Sequence, residues 1–176
     1  MIKPKEISEN LKNTSSIFVE ALNHYSESDF EFKQAEEIWS LGQMYDHLYS
    51  SGIYFFLANI NRCLEKRKGS TEAEPSDAGK YVMAQNAIPP NKYVRPGTGK
   101  TPDPESKGVV FYKKAFPELI QSLLEKEKEV ENDEGEYRTE HPFFGFLNAK
   151  EWYQNTEIHM RHHLRQKAEL DVYITQ

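Results

Sequence analysis

The sequence predicts an all-α fold, a four-helix bundle with a long crossover loop between helices 2 and 3. Two observations carry this. Apolar side chains recur at three- and four-residue intervals in four separate stretches, the spacing that gathers them on one face of a helix. Between the second and third stretches, residues 67–105 hold prolines at 75, 89, 90, 96, 102 and 104 and glycines at 69, 79, 97 and 99, with almost no periodicity.

Helix 1 is expected over residues 4–27, its stripe being Ile7, Leu11, Phe18, Leu22 and Tyr25. Ser40, directly after Trp39, is placed as the N-cap of a long second helix running to about residue 66, with Leu41, Met44, Tyr45, Leu48, Phe55 and Leu57 as its apolar residues. A structureless loop as long as residues 67–105 is unusual inside a compact domain. Tyr81, Val82, Met83, Ile88, Tyr93 and Val94 are expected to tack it down as an ordered excursion. Helix 3 follows over residues 106–131 on Val109, Phe116, Ile120, Leu123 and Val130, and Pro117 inside it predicts a kink or a break. Asn132-Asp133-Glu134-Gly135 ends it, residues 141–147 read as a loop, and Asn148 opens a capping box with Glu151 for helix 4, which runs to about residue 170.

At 176 residues the chain suits one domain, residues 1–176, with a core that needs no disulfide staple. A net charge of −6, with 28 acidic against 22 basic residues, disfavours a phosphate backbone as partner, and the basic runs at Lys66 to Lys68 and Arg161 to Arg165 are short. The single cysteine, Cys63, suits a reducing compartment. No apolar run approaches the ~18 to 20 residues of a membrane span, and Met1-Ile2-Lys3-Pro4-Lys5 is unlike a secretory signal, so a cytoplasmic location is expected.

The chemistry is carried by three histidines. On helix 4, Trp152, Thr156, His159, His163, Gln166 and Leu170 repeat at alternating intervals of four and three, a core-facing seam with two imidazoles in its middle. The i, i+4 pair His159 and His163 has the spacing that lets two rings clamp one ion, although no glutamate follows the first as it does in zinc-protease helices. His47 shares an inward stripe with Met44, Leu48, Ser51 and Phe55 on helix 2. Together His47, His159 and His163 would make a three-nitrogen metal site with open positions. The competing reading is a set of core histidines bonded to neighbours with no metal.

His162 falls on a polar face with Asn155, Arg165 and Glu169 and is expected to meet solvent. Gln166 is placed to orient a ligand, and Tyr45 or Trp152 to line the pocket. Pro96-Gly97-Thr98-Gly99-Lys100-Thr101 resembles the end of a phosphate loop, but its first glycine position is Val94, and Pro102 and Pro104 forbid the helix that should follow. Cys63 reads as a small apolar filler. His24 and His141 are given no role.

These residues carry a resemblance: Trp39-Ser40 with an inward His47, then His141-Pro142-Phe143-Phe144-Gly145-Phe146-Leu147, then Glu151-Trp152 and His159-Met160-Arg161-His162-His163-Leu164-Arg165-Gln166. The chain resembles the DinB-like (YfiT-like) superfamily of metal-binding four-helix bundles, from helix 1 to Gln166. The resemblance implies that His47, His159 and His163 are the metal ligands. It further implies a divalent metal, zinc or nickel first and iron or manganese next, a low-molecular-weight thiol as a further cofactor, a small-molecule substrate and a homodimer. The activity it implies is that of a metal-dependent hydrolase or a thiol-dependent S-transferase. The alternative is a non-catalytic metal- or ligand-binding stress-response module.

Overall fold

In the computed structural model, which describes residues 2–89 and 102–175, the chain is mostly helical with one small two-stranded hairpin. The first element, α1 (Pro4–Ala21), starts on a proline, whose missing N–H is no loss in a first turn, and buries Ile7, Leu11 and Phe18. It stops short of the expected residue 27. Asn23 and His24 turn back onto the carbonyls of Glu20 and Ala21, and Ser26 caps a separate short helix, α2 (Glu27–Glu31), in a reciprocal box with Asp29.

The second long segment is α3 (Leu41–Ser51), a π-helical turn (Gly52–Leu57) and α4 (Ala58–Leu64) in unbroken succession. Ser40 caps it as expected, its Oγ accepting from Gln43 N at 3.1 Å while Gln43 Oε1 accepts from Ser40 N at 3.0 Å. The π turn has a cause in spacing. Leu48, Gly52, Phe56 and Ile60 are all buried, and four-residue steps outrun the 3.6-residue α repeat, so one wider turn keeps them on one face. Gly52 lets Leu119 pack close against this turn, since a Cβ would stand 2.5 Å from Leu119 Cδ2 and the leucine would have to shift.

The crossover is more structured than its composition implies. Ser76 caps α5 (Asp77–Gln85), and Asn86 ends it in the left-handed conformation at φ 50°. Residues 93 and 94, expected to anchor the loop, and the phosphate-loop look-alike at 96–101 lie outside the described residues. Gly108, at φ +81°, then precedes α6 (Val109–Leu124), whose Val109 N–H donates to Glu27 Oε2 at 3.2 Å. Pro117 lies inside α6 without breaking it, and the interruption falls instead at Glu125 and Lys126, before α7 (Glu127–Asn132).

Residues 141–147, expected to be a loop, belong to an antiparallel hairpin of β1 (Arg138–His141) and β2 (Gly145–Asn148), in which His141 pairs with Gly145 and Arg138 with Asn148. Asn148 also caps the last helix, α8 (Ala149–Ile174), in the expected box with Glu151. Helix α8 packs on α1, α3 and α4, while α6 packs on α1 and α3. The core between them is rich in rings: Tyr45 and Phe30 approach to 5.3 Å between centroids, Tyr45 and Phe116 to 5.4 Å. Among the described residues no helix is long and apolar enough to cross a membrane.

Candidate metal centre

Helices α3 and α8 bring His47, His159 and His163 together. One nitrogen from each ring lies within 4.8 Å of the others, and His47 Nε2 stands 3.1 Å from His159 Nε2. Two nitrogens bound to one tetrahedral ion at ~2.05 Å sit about 3.3 Å apart, so the pair already has chelating separation. The donor set therefore fits a divalent transition metal. Neighbours set the rings: Gln166 Oε1 lies 2.7 Å from His163 Nδ1, and when that nitrogen carries the proton, Nε2 is left as the free lone pair. Trp39 packs on His47 at 5.4 Å and Phe56 on His159 at 5.0 Å.

Burial keeps all three rings neutral. It lowers His47 to about 4, against an opposing pull from Asp46, and lowers His163 to about 3, with the neighbouring His47 adding to the effect and the Gln166 hydrogen bond opposing it. His159 is held well below the ordinary range, first by burial and then by the other imidazoles. At neutral pH the lone pairs are thus available without proton release.

The three rings face a half-open cavity of about 610 Å³. Its apolar wall includes Phe55 and Phe56 from the π turn and Phe143 and Phe144 from the hairpin. Ile88 at one end of the crossover and Pro102, Asp103 and Pro104 at the other also reach it, and Trp39 Nε1 donates to Asp103 Oδ1 at 3.1 Å. The near end of the crossover is held by α8: Gln154 Nε2 donates to Met83 O and Asn86 Oδ1, and Arg161 donates to Asn86 O at 2.7 Å.

His162, Tyr45 and Trp152 depart from expectation. His162 is half-buried and lines the cavity with Arg165, because the wall curves past the seam onto the next face of α8. Tyr45 is sealed in the aromatic core, its hydroxyl donating to Phe18 O at 2.7 Å, and does not line the cavity. Trp152 stands behind the wall, against Phe55 and His141. Gln166 touches a candidate ligand ring directly. Cys63 is fully buried, with Sγ 3.4 Å from Thr139 Oγ1, and burial pushes its thiol up.

Asn155, placed with His162 on the polar face, is in fact 2 % exposed and lines the cavity, and so does His141, which had been given no role. His141 sits at the end of β1, stacked on Phe144 at 4.3 Å. The signal for it was local: a histidine two and three residues ahead of phenylalanines whose N–H groups its ring can accept. Compared with known proteins, the chain matches no family model, no curated protein and no solved structure.

Proposed function

We propose that this chain is a metal-dependent enzyme of the DinB-like bundle type, a hydrolase or thiol-dependent S-transferase, in which His47, His159 and His163 hold a divalent ion. The observation that carries this reading is the convergence of three neutral imidazole nitrogens within 4.8 Å at the wall of a cavity. The packing of α1, α3 to α4, α6 and α8 supports the bundle. Three nitrogen donors suit zinc and nickel first, with iron and manganese also within reach of imidazole. Such an ion supplies Lewis acidity that favours the deprotonated form of a water or thiol. The chain's part is to hold the rings neutral by burial, to aim His163 through Gln166, and to keep bulk water off with the phenylalanines of the π turn and the hairpin.

The test is metal content of the purified protein beside a His163→Ala variant, with thiol transfer to electrophiles and ester or amide hydrolysis assayed in parallel. Metal bound at one equivalent, and turnover lost with it, supports the enzyme. Stoichiometric metal with no turnover toward either class would favour the non-catalytic module. Absence of metal binding would overturn the enzyme and leave only a module that binds some other ligand.

A further inference from the structure

His141 lines the cavity, yet it is not one of the three candidate ligands. It is 6 % exposed, so its polar atoms need partners inside the protein or on a bound molecule. One edge is satisfied. Nδ1 accepts from Phe143 N at 3.1 Å and from Phe144 N at 3.2 Å, the backbone of its own hairpin. A nitrogen that accepts carries no proton, so the neutral ring carries it on Nε2. That N–H has no partner among the described residues. Burial disfavours the imidazolium, so the donor persists at neutral pH.

The ground between His141 and the imidazoles is apolar. Consecutive residues of the π turn fill it: Phe55 lies 5.2 Å from the His141 ring, Phe56 lies 5.0 Å from His159, and the two phenylalanines are 5.3 Å apart. Phe144 and Trp152 close other sides of His141, at 4.3 and 5.1 Å between centroids. Asn155 on the cavity wall keeps its Oδ1 sealed and without a partner among the described residues, which leaves its N–H edge as the side that can meet the cavity. The cavity thus offers lone pairs at the imidazoles, an apolar middle, and a buried N–H beyond it. That is the outline of a molecule with an apolar body and an acceptor oxygen at one end.

We infer that His141 is a binding residue for a carbonyl or carboxylate oxygen of the ligand, donating through Nε2–H while the ligand's apolar body lies against Phe55 and Phe56. A donor left without an acceptor in so buried a place is costly, and a water held there by aromatic walls has few other partners. An acceptor oxygen on the ligand removes that cost. The inference rests on the reading of the cavity as a substrate pocket, yet His141 is no candidate ligand of the ion, so the donor is tested without metal.

The probes are acetophenone, α-methylstyrene, which has the same shape with a methylene in place of the oxygen, and benzoate. Each is titrated into metal-free protein carrying isotope-labelled histidine, and NMR follows both the affinity and the imidazole nitrogens. His141 should show a protonated Nε2 and a bare Nδ1, and acetophenone should shift its Nε2 signal where α-methylstyrene does not. His141→Asn keeps an acceptor for the two hairpin N–H groups and loses the Nε2 arm. In that variant the preference for acetophenone over α-methylstyrene should fall about tenfold. Benzoate distinguishes the two acceptors: should benzoate rather than acetophenone give the shift and lose affinity in the variant, the oxygen is that of a carboxylate. A proton on Nδ1, or an Nε2 signal that answers neither oxygen-bearing probe, overturns the assignment even if the variant fails to fold. An Nε2 response in a protein that binds no zinc would overturn the metal reading alone, and zinc binding without that response would overturn the donor alone.

Discussion

Zinc added to the metal-free protein at pH 7 should raise its melting temperature by several degrees, and the size of the rise can be worked out. His47 and His159 already stand 3.1 Å apart through Nε2, close to the spacing about one tetrahedral ion, and burial has already removed their protons. Little binding energy is then spent on rearranging or deprotonating ligands. With free zinc at one hundred times its dissociation constant, a ligand of the native state alone adds about 2.7 kcal/mol. A chain of 176 residues unfolds with an entropy of ~2.1 cal/mol/K per residue, about 0.37 kcal/mol/K in all, so the midpoint should rise by about 7 °C. Calorimetry with zinc, and again after a chelator, measures it. His47→Ala, His159→Ala and His163→Ala should each abolish most of the rise, whereas His162→Ala should keep it. An equal rise in all four variants, or none in the wild type, would refute the argument.

Acid should expose the burial of His141 in metal-free protein. Its folded value of about 3 lies below the ~6.5 of an unfolded chain, so the unfolded state takes up this proton first. The stability tied to the neutral ring is present above pH 6.5 and is lost as pH falls toward 3, at about 1.4 kcal/mol per pH unit. Urea unfolding at pH 7, 6 and 5 should therefore show the advantage of wild type over His141→Asn shrinking with acid; a gap independent of pH would contradict it. Gly79→Ala places a Cβ 2.2 Å from the carbonyl oxygen of Phe144, a backbone atom that cannot step aside, and should cost about 1 to 3 kcal/mol by urea unfolding. Asn148→Ala removes the cap of α8 and should cost about 1 kcal/mol, while Asn148→Asp, which keeps the acceptor, should cost far less. In Asp46→Ala the hydroxyl of Tyr112, now bonded to Asp46 at 2.9 Å, loses its buried acceptor; a loss of about 1 to 3 kcal/mol is expected, and stability equal to wild type would show that water replaces the carboxylate.

The histidine cluster was legible because α8 is long. Over the seam from Trp152 to Leu170 the repeat distinguishes His163 from His162, and Asn148 with Glu151 marks where the count begins. The same logic found the buried stripe of α1. It failed where few residues set the structure. Helix α5 covers only Asp77–Gln85, too short for a period to stand out among prolines and glycines, and its cap, Ser76, also donates to Phe143 O, a partner distant in the chain. The hairpin strands are four residues each, and their aromatic turn reads equally well as a loop. His141 and Asn155 were missed for a related reason. What singles them out is one satisfied ring edge and one orphaned oxygen, and neither exists before the chain has folded.

The π turn at Gly52–Leu57 has a consequence for how this segment tolerates change in length. It accommodates one residue more than α-helical winding would hold over that span, so removing a single residue there would let the segment rewind as continuous α-helix. Each later side chain would keep its place, with Ile60 and Cys63 still inward. Removing one residue from α4 has no such reserve, and every position after the cut would rotate by about 100°, carrying the core face round to water.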